Sequence, residues 1–211
     1  MLEARDLSEA WYLVLKNLFK EGYETEISRG AYEGGQRRLQ LQGLAGFIEN
    51  PLPIIVPEVP QGIPSPTSLD YINTYFKEKI VGNVKEDNCE YTYGERILLQ
   101  LQTIIEILME TPETNQAVIE VARPEDIFLK DPPCLRCITL KKVGPRLNMT
   151  TFWRSWDLFS GFPTNLGGLS LLLEYIAGFL EGIEPGRLYF YSDGAHIYDM
   201  EKELAARKLA L

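Results

Sequence analysis

Apolar residues recur at three- and four-residue steps in residues 8–21, where Trp11, Leu15, Leu18 and Phe19 share a stripe, Ser8 is placed to cap the start and Gly22 the end. The same period predicts helices over residues 71–81 and 95–109. A long apolar run predicts a further helix over residues 165–182, with Asn165 before it, and Asp199 caps a short last one over residues 199–209. Alternating or β-branched runs predict strands over residues 37–42, 117–121, 135–141, 147–153 and 187–192, with Gly144-Pro145 turning between two of them. Six prolines within residues 51–66 exclude regular helix there and predict an extended surface connection inside the domain. Helices mixed with hairpin-connected strands predict an α+β fold, a single domain over residues 1–211 with one large mixed β-sheet flanked by helices.

Composition narrows the partners. A formal charge of -9 argues against a nucleic-acid coat or an anionic membrane surface, so any phosphate site has to be a local basic cluster. The run over residues 166–183 is broken by Glu174, Glu181 and several glycines, which makes it a buried helix and not a membrane span. The first residues carry no apolar signal core, and the cysteines Cys89, Cys134 and Cys137 form an odd set; both point to the reducing cytoplasm.

Chemistry gathers late in the chain. Asp131-Pro132-Pro133-Cys134 is followed by Arg154-Ser155-Trp156-Asp157, then Gly161-Phe162-Pro163-Thr164-Asn165, then Ala195-His196-Ile197-Tyr198 with the only histidine. Cysteine suits covalent attack near neutral pH, and an arginine beside a serine can hold a phosphate or favour a nearby thiolate. Asparagine offers a donor and an acceptor to a ring that shows one of each. Each residue also has a plainer reading: a buried inert Cys134, an Arg154–Asp157 surface ion pair, Asn165 as a helix cap and His196 as a satisfied core group. A zinc site would need Cys89 and His196 to join Cys134 and Cys137, and neither stands at a usual spacing, so no metal is expected. A redox dithiol would open a helix, whereas a strand pattern follows here; Cys137 is left structural or accessory.

The order and spacing of these pieces resemble the thymidylate synthase family, which includes pyrimidine nucleotide hydroxymethylases. Pro132-Pro133-Cys134-Leu135 resembles the family's Pro-Pro-Cys-His, and residues 154–165 match Arg-Ser-x-Asp-x-Phe-x-Gly-x-Pro-Phe-Asn except at Thr164. His196 and Tyr198 resemble its Asp-x-His-x-Tyr segment, and Tyr93-Gly94-Glu95-Arg96 its Tyr-Gly-x-x-Arg turn. The resemblance implies that Cys134 is the nucleophile and that Arg154 and Ser155 hold a nucleotide phosphate, with Arg154 favouring the thiolate. It implies that Asp157 supports the pterin and the base-side water, that Asn165 pairs with uracil O4 and N3–H, and that His196 and Tyr198 meet the sugar 3′-hydroxyl. Arg29 resembles a mobile phosphate-binding arginine. The departures are Gly194 where the family has an acid, with Asp193 shifted by one, and Asn115 and Gln116 where two arginines cross a dimer interface; Glu78 stands nearest the expected general base, and a C-terminal lid segment is missing.

The small form resembles the shortened thymidylate synthases of archaea and some bacteria. It implies conversion of dUMP to dTMP in a homodimer joined through the sheet, with 5,10-methylene-tetrahydrofolate or methylene-tetrahydromethanopterin as the reduced pterin. The alternatives are a 5-hydroxymethylase acting on dUMP, dCMP or a ribonucleotide, and a non-catalytic nucleotide-binding homologue.

Overall fold

The computed structural model describes residues 1–28, 36–85 and 90–209. After the short strand β1 (Leu2–Ala4), helix α1 (Leu7–Glu21) is capped by Asp6 and not by Ser8: the Asp6 carboxylate accepts the Glu9 N–H at 2.9 Å. The α1 stripe is buried, and the Trp11 indole donates to the Leu158 and Phe159 carbonyls at 2.9 Å, so this helix fixes a loop far along the chain. Strands β2 (Tyr23–Ile27) and β3 (Gln36–Ile48) follow, then α2 (Leu69–Tyr75), which runs on into a π-helical turn over Phe76–Ile80.

Helix α3 (Tyr93–Glu110) needs glycine at 94, because a Cβ there would meet the Gly82 carbonyl oxygen at 1.8 Å. Two residues on, Arg96 donates to both Asp126 carboxylate oxygens at 2.6 and 2.7 Å and to the Val121 carbonyl at 2.6 Å. Asp126 also accepts the Arg123 N–H at 2.8 Å. This buried pair ties α3 to the segment that leads from β4 (Val118–Glu120) to Cys134.

Strands β5 (Leu135–Val143) and β6 (Arg146–Trp153) form the expected hairpin, and β7 (Trp156–Asp157) is a two-residue strand beyond it. Helix α4 (Gly161–Ala177) starts four residues before the predicted point and is buried on nearly every side. Asp157 accounts for the early start by accepting the N–H groups of Phe159 and Gly161, both at 2.8 Å, while Pro163 sits in the first turn, where its missing N–H is harmless. Asn165 therefore lies inside the helix, and the reading of it as a cap is corrected. Strand β8 (Glu184–Tyr198) and α5 (Asp199–Leu209) complete the chain. No helix among the described residues is long and apolar enough to cross a membrane.

The strands form one mixed sheet in the order β1-β3-β8-β6-β5-β4, with β2 added to β3 and β7 to β8, flanked by helices as expected. β3 and β8 carry a matched kink. Positions 43 and 193 drop out of the ladder, which continues from Gln42↔Gly194 to Leu44↔Ser192, and Gly43 takes φ +74°. On one side of the kink Leu39, Leu41, Ala195 and Ile197 are buried; on the other, Leu44, Ile48, Leu188 and Phe190 are. The buried set thus changes phase, which turns Arg38, Gln40 and Gln42, with their partners Tyr198, His196 and Gly194, into one cleft. Beyond the kink the same surface presents Phe47, Tyr189, Tyr191 and Phe152, whose rings pair at 5.3 Å (Phe47–Tyr189) and 5.1 Å (Phe152–Tyr191).

Candidate active site

The cleft has a volume of about 650 Å³ and is lined by Cys134, Arg154, Ser155, Asp157, Asn165, His196 and Tyr198. The fold therefore gathers every site residue singled out in the sequence except Arg29, which lies outside the described residues, as does Cys89. Glu78 is not among the lining residues. Arg38, Gln40 and Gln42 are, and the sequence did not point to them: in a polar strand their alternation gives no sign of which face meets a ligand.

Cys134 ends the loop before β5 and is half-buried, with Leu135 N–H directed at the Tyr93 hydroxyl at 3.5 Å. Burial pushes its thiol above the ordinary value; Arg154 opposes this, Asp131 adds to it and Arg38 opposes it more weakly. Arg154 favours the thiolate as expected, but burial outweighs it and Asp131 offsets part of its charge, so the thiol as a whole is raised. Arg154 donates from Nε to the Pro133 carbonyl at 3.2 Å and from Nη2 to Asp131 at 3.1 Å and to the Pro132 carbonyl. It clamps the Cys134 loop and does not pair with Asp157, whose carboxylate is occupied by the α4 start. Nη1 has no partner among the described residues. Cys137 is half-buried on β5, and a bulge between 135 and 137 separates its setting from that of Cys134.

Asn165 is held from behind. Its Oδ1 accepts the Trp156 indole N–H at 2.9 Å, and its Nδ2 donates to the Tyr75 hydroxyl at 2.8 Å. An indole nitrogen only donates, so the oxygen and nitrogen of this amide are assigned without ambiguity. A carboxamide has two donor hydrogens and two lone pairs, so one of each is left for the cleft. Tyr75 and Trp156 had no signal in the sequence; burial raises the Tyr75 hydroxyl above its ordinary value and keeps it protonated.

His196 faces the Gly194 carbonyl, 3.0 Å from Nδ1; a carbonyl only accepts, so Nδ1 carries the hydrogen and Nε2 is an acceptor. Burial lowers this histidine to about 4, so it is neutral near pH 7, and Nε2 is buried without a partner. Gly194 packs closely beside it, since a Cβ there would come within 3.0 Å of the Arg154 carbonyl oxygen, where the chain passes into Ser155. Across the strand pair, the Arg38 guanidinium lies 4.9 Å from the centre of the Tyr198 ring, and its buried Nε has no hydrogen-bond partner. A buried donor left unsatisfied costs about 1–3 kcal/mol, which an incoming anion would relieve.

Fold and site define an α+β protein whose cleft sets one thiol against guanidinium groups, an amide of fixed polarity and a neutral histidine. Known proteins share these parts. The family model for thymidylate synthase matches residues 75–210. The chain is 32% identical over 211 residues to the protein named "Putative thymidylate synthase" from Methanosarcina acetivorans, covering 97% of this chain and 92% of that one. Its namesake from Methanopyrus kandleri is 27% identical over 208 residues, with 94% and 93% covered. The thymidylate synthase of varicella-zoster virus is 32% identical over 112 residues, which cover 53% of this chain and 37% of the viral one. The chain belongs to the thymidylate synthase family, in the short form of its archaeal relatives.

Proposed function

We propose that this protein converts dUMP to dTMP, with the whole chain working as one domain and Cys134 as the nucleophile. The observation that carries the reading is the Asn165 amide, whose remaining donor and acceptor match uracil O4 and N3–H. Once deprotonated, the Cys134 sulfur adds to C6 of the ring, and the electron pair moves through C5 toward O4. Asn165 Nδ2–H meets that oxygen as negative charge develops on it. The second substrate is a reduced pterin, methylene-tetrahydrofolate or methylene-tetrahydromethanopterin, which supplies the one-carbon unit to C5 and a hydride to complete the methyl group. Loss of the C5 proton and hydride addition to the exocyclic carbon let the sulfur leave C6 as thiolate, which restores the ring double bond.

The phosphate lies against Arg154 Nη1, Ser155 and Arg38, all of which line the cleft. His196 Nε2 accepts the 3′-hydroxyl hydrogen beside Tyr198, and Asp157 holds the first turn of α4, and with it Asn165, at the correct height. The aromatic face of Phe47, Phe152, Tyr189 and Tyr191 meets a second copy in a homodimer, and the free thiols suit the cytoplasm. The test is mass spectrometry of the product from dUMP with each pterin in turn. A methylated ring supports the reading, a hydroxymethylated ring replaces it with the hydroxymethylase, and an intact ring with tight dUMP binding replaces it with the non-catalytic binder.

A further inference from the structure

A carboxamide can read a pyrimidine in either of two orientations. With nitrogen toward the C4 substituent and oxygen toward N3 it suits uracil; turned by half a rotation it presents oxygen to an amino group and nitrogen to a bare ring nitrogen, which suits cytosine. Both orientations have the same shape, so the asparagine alone does not exclude the second. We infer that Trp156 is the positioning residue that sets uracil over cytosine, by holding the Asn165 amide in the first orientation. The inference rests on the pyrimidine-nucleotide reading above.

The indole Nε1–H stands 2.9 Å from Asn165 Oδ1. Rotating the amide would set its NH₂ hydrogens against that N–H, donor against donor, with the Trp156 bond lost. Tyr75 exerts no such choice, since its hydroxyl accepts from Nδ2 as it stands and can equally donate to an oxygen in the same place. Trp156 cannot swing aside to permit the turn. It is 2% exposed, lies 4.3 Å from Trp153 with the planes 6° apart, and meets Phe162 at 4.7 Å. Its backbone is fixed by β7 pairing against Ala195. The rings account for packing, and the N–H is the one part of this side chain that distinguishes the ends of the amide.

Trp156→Phe keeps a stacked ring and deletes the N–H, and Tyr75→Phe deletes the other partner as a control. Dissociation constants for dUMP and dCMP are measured on parent and both variants, with thermal unfolding alongside. The parent prefers dUMP. Trp156→Phe is expected to narrow that preference by about tenfold or more, chiefly because dCMP gains, whereas Tyr75→Phe weakens both nucleotides and leaves the ratio in place. General loss of stability would not move a ratio. A folded Trp156→Phe protein with the parent's ratio overturns the inference and leaves the uracil reading standing. A parent that binds neither nucleotide overturns both. If Trp156→Phe does not fold, hydrogen exchange of the Trp156 indole N–H in the parent decides the matter: slow exchange is expected of a bonded donor, and exchange at the free-indole rate overturns the lock.

Discussion

Asp126→Asn removes the counter-ion of a buried cation whose other partners, the Val121 carbonyl and the Tyr91 ring, carry no charge. Arg96 and Asp126 are 5% and 4% exposed, and the guanidinium meets both carboxylate oxygens. That hydrogen bonding holds Asp126 below the ordinary carboxylate range. Removing one member of a buried pair costs about 3–5 kcal/mol, because the other charge keeps its desolvation penalty without its partner. At about 2–4 °C per kcal/mol for a domain of this size, the melting temperature should fall by roughly 6–20 °C at neutral pH. The pH dependence has a definite sign. A carboxylate lowered in the folded state contributes stability that is complete above its unfolded value of about 3.9 and is lost as pH falls through the folded one. The gap between parent and variant should therefore be level from roughly pH 5 to 8 and close in acid below about pH 4. Circular dichroism melts across that range measure it. Because Asp126 also holds Arg123 in the segment leading to Cys134, alkylation of Cys134 should change in rate alongside, and replacing both partners, Arg96→Met with Asp126→Leu, should restore much of the stability. A folded Asp126→Asn protein that melts within about 2 °C of the parent at pH 7 would refute this account of the pair.

A 5-fluoro-dUMP adduct should form with the parent and with Cys137→Ala and be absent from Cys134→Ser; peptide mapping that finds it on Cys137 would reverse the assignment. Asn165→Asp should keep its melting temperature within about 2 °C, since the residue is not a cap and both Trp156 and Tyr75 can donate to a carboxylate. It should weaken dUMP relative to dCMP by about tenfold, because an acceptor then faces O4; kinetics for both nucleotides check this. His196, lowered to about 4 from about 6.5, makes the folded protein lose stability as pH drops between those values. Glu201, pushed up to about 7 by burial, has the opposite sign, so the difference between parent and His196→Asn melts isolates the histidine. Tyr191→Glu should convert a dimer to monomers in sedimentation at micromolar concentration, and a parent that already sediments as a monomer removes the proposed interface.

The helices and the β5–β6 hairpin were legible because their faces bury in a steady period; residues 95–109 and 147–153 fall within α3 and β6 with ends that differ by one or two. Strands β3 and β8 were seen only in part. Gly43 and Gly46 dilute the first, and Ser192-Asp193-Gly194 interrupts the second, yet the ladder runs through both because backbone pairing does not need apolar side chains. The start of α4 was hidden by Gly161 and Pro163, residues that read as loop unless the Asp157 carboxylate capping them is known. In the site, Cys134, Arg154, Asn165 and His196 were legible through linear motifs. Arg38 and Tyr75 were not, because their contacts with Tyr198 and Asn165 are long-range and leave no spacing in the chain, and Trp156 stands inside the 154–165 motif at a position that the motif leaves open. The influence of Arg154 on the thiol was legible too, but the larger opposing effect of burial is visible only in three dimensions.

The matched kink in β3 and β8 has a consequence for how such chains can change length. Deleting residue 43 alone would slip the two strands past one another. Deleting residues 43 and 193 together would keep every later pairing intact and leave a regular alternation, with Leu39, Leu41, Leu44, Ala195 and Ile197 still on the buried face and Arg38, Gln40, His196 and Tyr198 still on the other. Such a double deletion should therefore express as folded protein that has lost only the bend, whereas the single deletion, which puts one strand's faces out of step with its partner's, should express as insoluble protein. Residues 43 and 193 can thus be lost only as a pair, while the connection over residues 51–66 carries no such coupling and can gain or lose residues singly.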